Sequence, residues 1–202
     1  MFYDPRSQDH GLAHTPWTAL VVPRPIGWIS SQSSDGIANL APYSFFNAVS
    51  GAPPFVMFSS AGRKDSQTNI EETGEFVVNM AVADLKEALN QSSASYAPGI
   101  DEFERAGLEK APCQNVNVPR VAASPVALEC ILNRVVPLTA SDGTKVRSDV
   151  IFGEVVGIHI ADDVIVDGVL DIKRIRPLAR LGYMDYAITE DVFAMARPVL
   201  DD

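Results

Sequence analysis

Apolar residues recur along this chain in short runs rich in valine, isoleucine and phenylalanine, the pattern of strands rather than of helices. Such runs predict strands at Ala19–Val22, Ile26–Ser31, Ile37–Val49, Phe55–Ser59, Phe76–Val82, Val126–Val136, Val150–Ile160 and Val164–Val169. Ser33-Ser34-Asp35-Gly36 separates the second from the third. An Asp-Gly pair tolerates positive φ, so it predicts a hairpin there. Further turns are predicted at Asp142-Gly143, between two long strands, and at Asp162-Asp163.

Helical signals are few. Asp65 to Gly74 reads as a short helix, with Asp65 as N-cap and Gly74 as the stop. A second helix is predicted from Asp84 to about Ser93, where Asp84 and Glu87 have capping-box spacing, and a helical turn near Ile100–Ala106. No repeat, low-complexity run or linker divides the chain, so one domain over residues 1–202 is expected. The fold class predicted is mainly β, a barrel or sandwich with a few helical insertions. No GxGxxG follows a strand, which leaves a Rossmann nucleotide site without support.

Charge narrows the partners. The 202 residues carry 16 Lys+Arg against 26 Asp+Glu, a formal net charge of -10. So acidic a chain lacks the basic field that duplex nucleic acid or an anionic membrane surface requires. The apolar content of 47% argues for a substantial core and against disorder. Cys113 and Cys130 have no CxxC spacing and read as free, buried thiols; three scattered histidines make a histidine metal site unsupported. The polar N-terminal stretch lacks the form of a secretory leader, so a cytoplasmic location is expected.

Two segments carry candidate chemistry. In the first, Ser59-Ser60 ends an apolar strand, Arg63-Lys64 follows, and Asp65-Ser66 opens a helix. Hydroxyls, cations and the free N–H groups of a helix start are what a phosphate monoester needs. The alternative is that Arg63 and Lys64 merely solvate a loop. In the second, Pro42 interrupts the strand Asn39–Asn47 and places it at a sheet edge or a bulge. Edge strands leave backbone groups free to pair with a flat, polar-edged ring. The alternative is an irregular core strand with Phe45 and Phe46 as packing residues.

Together with Arg24-Pro25-Ile26-Gly27-Trp28, Glu75-Phe76-Val77-Val78-Asn79, Gly153–His159 and Pro177–Tyr186, these segments resemble the flavin reductase-like FMN-binding split-barrel family. The similarity is greatest to its nitrilotriacetate monooxygenase component B and flavoredoxin-like subgroup, with Ser66 where the family usually has threonine. The resemblance implies a six-stranded antiparallel Greek-key split barrel, a homodimer, and FMN in a groove near the subunit interface. It implies that Asn39, Ala41, Pro42, Ser44, Phe46 and Asn47 line the flavin, with Trp28 near the ring system. Ser59, Ser60, Arg63, Lys64 and Ser66 would take the phosphate. It further implies NAD(P)H as electron donor and a flavin-dependent monooxygenase as partner.

Two late positions, His159 and Arg180, remain open. Simple alternation along Glu154–Ile160 puts Val155, Gly157 and His159 on one face, so His159 is either a groove residue acting on the incoming nicotinamide or a hydrogen-bonded scaffold residue. Arg180 either meets reduced flavin or pairs with a carboxylate, and Tyr183 and Tyr186 read as packing residues. Shorter family members carry Gly-Asp-His where this chain has Gly157-Ile158-His159. The rival reading is therefore an FMN-binding electron carrier with little use of NAD(P)H; a related split barrel holding another cofactor, such as haem, is a third.

Overall fold

A computed structural model describes residues 1–199. Helix α1 (Trp17–Leu20) leads into β1 (Arg24–Pro25), β2 (Gly27–Gln32), β3 (Ala38–Tyr43), β4 (Phe46–Gly51) and β5 (Pro54–Ala61). Helix α2 (Asp65–Thr73) and β6 (Glu75–Met80) follow, then helices α3 (Lys86–Gln91) and α4 (Glu102–Arg105). Strands β7 (Lys110–Ala111) and β8 (Arg120–Val121) precede the long pair β9 (Val126–Thr139) and β10 (Lys145–Ile160). The chain closes with β11 (Ile165–Val166), β12 (Val169–Leu170), helix α5 (Ile172–Ile175), β13 (Leu178–Arg180) and β14 (Tyr186–Ile188).

One seven-stranded antiparallel sheet, ordered β3-β2-β6-β9-β10-β5-β4, forms the body. Its two edge strands are β3 and β4, and only Ser44 and Phe45 lie between them in sequence. A flat sheet of that order would be about 29 Å wide, whereas the connection reaches roughly 10 Å. The sheet must therefore curl until its edges approach. Among the described residues no ladder joins β3 to β4, so the barrel stays split. Its strand count is seven where six were expected.

Residues of alternate parity fill the curl: Ile29, Val56, Phe58, Phe76, Val78, Cys130 and Ile151, with Ile70 of α2. The fit is close, since a Cβ at Gly153 would lie 2.3 Å from the Phe76 ring. A second cluster, Trp28, Leu40, Leu89, Phe103 and Leu178, packs the outer face of β2 and β3 beneath α3 and α4. A small sheet, β1-β13-β14, sits beside it. These two cores fix the β3 edge between them.

The Ser33–Gly36 and Asp142-Gly143 turns form as expected, with Gly36 and Gly143 at φ 84° and 87°. Four details differ. Ala19–Val22 is not a strand but part of α1 and the bend after it, because no neighbouring strand offers it a ladder. The long Ile37–Val49 run breaks at Ser44-Phe45, where the sheet passes from one edge to the other. The third hairpin turns at Asp167-Gly168 (φ 50° and 78°), while Asp162–Val164 is a 3-10 turn. Lys64, not Asp65, precedes the first residue of α2, and neither caps it with a side chain; Leu85 precedes α3, so no capping box forms there.

Candidate functional site

The β3 edge borders two joined cavities. The larger, about 630 Å³, is lined by Arg24, Pro42, Ser44, Phe45, Leu89, Asn90, Ser93, Arg180, Tyr183 and Tyr186, among others. The smaller, about 250 Å³, is lined by Asn39, Ala41, Pro42, Tyr43, Lys64, Asp65, Ser66, Glu102 and the run Ser92–Tyr96. Pro42 and Ser93 line both, so they are two ends of one groove. Each end is of the size that small ligands and cofactors occupy, or somewhat below it.

At the smaller end the helix start and the β3 edge bring a polar cluster together. Asn39 Nδ2 donates to Ser66 Oγ at 2.9 Å, which leaves the Ser66 hydroxyl proton uncommitted among the described residues. Tyr43 Oη is buried without a hydrogen-bond partner, and burial pushes its phenol above the ordinary value against the nearby Ser66 and Ser60 hydroxyls. Lys64 lies 5.6 Å over the Tyr43 ring and makes no ion pair among the described residues. Glu102 is occupied elsewhere: its carboxylate accepts from the Leu40 N–H at 2.9 Å, and burial raises its pKa. That bond shows the Leu40 N–H facing the free side of β3, and Pro42, two residues on, has no N–H to add. The open edge thus offers carbonyl acceptors rather than the donors a proline-free edge would show.

Other predicted site residues take different places. Arg63 reaches back to Glu71 Oε2 at 2.6 Å and lies outside both linings. Ser59 donates its N–H to the Phe45 carbonyl at 2.8 Å, pinning the β3–β4 connection, and buried Ser60 donates its hydroxyl to the Gly62 carbonyl. Trp28 is fully buried behind the groove, its Nε1–H donating to Ser92 Oγ at 2.9 Å. Phe46 packs across Gly27 and faces a separate apolar cavity, while Asn47 is exposed on β4 with its Oδ1 on the Ala48 N–H. Of the phosphate set, then, the fold gathers Lys64 and Ser66, joined by Asn39. The hydroxyl-bearing run Ser92-Ser93-Ala94-Ser95-Tyr96 was not singled out from the sequence, though its composition beside a predicted helix end was the available signal.

His159 lines neither cavity. The β9–β10 ladder carries a bulge between Val155 and Gly157, so one extra residue enters β10 there. Val155 points into the barrel, but Gly157 and His159 come opposite Glu129 and Ala127 on the outer face. There the Glu129 carboxylate accepts the N–H groups of Gln114 (2.8 Å) and Asn115 (2.6 Å) and pairs with His159 Nε2 at 2.5 Å. An ionised carboxylate only accepts, so Nε2 carries the proton. Burial opposes ionisation of Glu129, yet these donors prevail and hold its carboxyl below the usual range. Burial and the same carboxylate push the neighbouring Cys113 thiol up to about 12.

A family model described as a flavin reductase like domain matches residues 19–178. The chain belongs to that family. Membership bears out the resemblance carried by the motifs, and related proteins agree with it. An uncharacterized protein of Halalkalibacterium halodurans is 37% identical over 186 residues, 89% of this chain and 88% of that one. Nitrilotriacetate monooxygenase component B from Bacillus cereus has a similar structure, with a TM-score of 0.88, 31% identity, and coverage of 96% of this chain and 98% of that chain. Flavoredoxin of Desulfovibrio vulgaris (Miyazaki F), at 18% identity and a TM-score of 0.77, covers 87% of this chain and 92% of its own, and shares the fold. Among the described residues, no helix of this family member is long and apolar enough to cross a membrane.

Proposed function

We propose that this flavin reductase-like protein is an oxidoreductase that binds FMN along the β3 edge, with the phosphate at the Lys64–Ser66 end. One observation carries the reading: the Ser66 hydroxyl, which accepts from Asn39 Nδ2, and the unpaired Lys64 line one cavity, with the buried Tyr43 hydroxyl beside Ser66. A phosphate would accept from Lys64 and Ser66. Bound FMN would supply the electron-transfer chemistry, which the side chains of this groove cannot perform.

The chain's own residues bind, orient and shield. Lys64 and Ser66 hold the anionic end, and the carbonyls on the open side of β3 accept from a polar ring edge. Trp28 fixes Ser92 from behind, so the loop bordering both cavities keeps its place. Phe45, Leu89 and Tyr183 line the larger end and exclude water from one side of it.

The donor in this reading is NAD(P)H, entering the larger cavity, with a flavin-dependent monooxygenase as the consumer of reduced flavin. The rival, an FMN-dependent electron carrier, is favoured by one finding: His159 is committed to Glu129 and, among the described residues, no histidine lines either cavity. A homodimer is proposed from the family resemblance and from the outer half of the β9–β10 hairpin, where Val136, Leu138 and Val146 are exposed.

The visible spectrum of the purified protein, followed by steady-state oxidation of NADH and NADPH with added FMN, tests the assignment. A flavin spectrum with turnover supports the reductase, and a flavin spectrum without turnover supports the carrier. Failure to take up FMN at all contradicts both.

A further inference from the structure

We propose that the row Arg24–Arg180–Tyr186 is an anion seat, taking the carboxylate or phosphate of the molecule that exchanges electrons with the cofactor. The proposal rests on the FMN reading above for the partner's role, but the seat itself stands on the geometry of the small sheet. In β1-β13-β14, Arg24 lies directly opposite Arg180, and Arg180 directly opposite Tyr186. Like charges facing each other across a ladder destabilise it. Here the pair persists, and both arginines line the 630 Å³ cavity.

Neither guanidinium has a countercharge among the described residues. Arg24 is only 6% exposed, and it spends its donors on the carbonyls of Thr18, Val21 (2.7 Å) and Leu181 (2.8 Å), while its Nε is buried with no partner. Burial, then the charge of Arg180, lowers its pKa. Arg180 donates to the Tyr186 hydroxyl and the Tyr183 carbonyl and stacks 4.4 Å over the Tyr186 ring. Tyr183 holds that carbonyl in place from a left-handed backbone, φ 56°, a conformation costly for tyrosine. The chain has 26 acidic residues, yet among the described residues none lines this cavity.

A buried guanidinium facing a half-buried one, with no acid beside them among the described residues, is costly by itself and becomes favourable when an oxyanion binds between or beside the two forks. The phosphate of FMN does not fill this role, because its donors lie in the other cavity, beyond Pro42 and Ser93. The oxyanion belongs to the second molecule in the groove: the carboxylate of a small organic acid, or the diphosphate of a dinucleotide.

Calorimetric titration of the flavin-free and flavin-loaded protein with benzoate and with ADP separates these two sources. At least one probe should bind, and Arg180→Gln should weaken it at least tenfold, about 1.4 kcal/mol, while FMN affinity changes less than threefold. Because Arg24 also ties three carbonyls, Arg24→Lys is the second variant; it keeps the charge, loses the fork, and should weaken the same probe with an unchanged circular dichroism spectrum. The proposal is overturned if neither probe binds the wild type, if the Arg180→Gln loss is smaller than tenfold, or if FMN weakens as much as the probe. Should the wild type refuse FMN, the flavin reading fails, and the probe titrations of the flavin-free protein decide the seat alone.

Discussion

Replacing Glu129 by alanine should be among the most damaging single changes in this protein, though it lies outside the groove. Its carboxylate is 1% exposed and accepts three donors: the Gln114 and Asn115 N–H groups and His159 Nε2. Each stranded buried donor costs about 1–3 kcal/mol. The costs overlap because the 112–118 loop can partly relax toward water, so the whole loss should approach that of breaking a buried pair, about 3–5 kcal/mol. For a chain of this size 1 kcal/mol moves the melting temperature by roughly 2–4 °C. A drop of about 6–20 °C in a thermal melt follows. His159→Ala leaves both backbone bonds in place and should cost only about 1–2 kcal/mol, with the rate per bound flavin unchanged. Acid dependence supplies the sign. The folded carboxyl titrates below its unfolded value of about 4.3, so its stabilisation is complete at neutral pH and is lost as the pH falls from there through the folded value. Glu129→Gln should lack that part of the acid dependence. A melt lowered by less than about 3 °C in Glu129→Ala, roughly 1 kcal/mol, or an acid profile of Glu129→Gln identical to wild type, refutes the reasoning.

Two further outcomes follow from the packing. Gly153→Ala places a methyl 2.3 Å from the Phe76 ring inside the barrel, so it should destabilise by about 1–3 kcal/mol or more, read by urea unfolding. The Cys113 thiol, raised to about 12 by burial and Glu129, should resist alkylation by iodoacetamide at pH 8 in the native protein and react readily once unfolded.

The strands and their hairpins are legible in the sequence because β-branched runs and Asp-Gly pairs act locally, and Ser33–Gly36 and Asp142-Gly143 turn where those residues say. Several positions depend on information that no local pattern carries. The bulge between Val155 and Gly157 inverts the face of His159, and a single inserted residue leaves no mark in the composition of β10. Arg63 and Lys64 are neighbours of like charge, yet the helix offers Glu71 to one and the groove only to the other. Arg24 and Arg180 lie far apart in sequence and become neighbours only when β1 pairs with β13. The Lys64–Ser66 helix start and the Pro42 edge were visible because hydroxyl, cation and proline each carry their chemistry without needing a partner.

Parallel fluorescence titrations with FMN and riboflavin test the central claim most directly. Wild type should bind FMN at least tenfold more tightly than riboflavin. Lys64→Ala and Ser66→Ala should each weaken FMN about tenfold or more, since a charge-assisted bond contributes about 1.5–3 kcal/mol, and leave riboflavin nearly unaffected. Arg63→Ala, which removes only the partner of Glu71, should leave both ligands within threefold of wild type. Equal affinity of the wild type for the two flavins, or equal losses of both in Lys64→Ala and Ser66→Ala, would contradict the account.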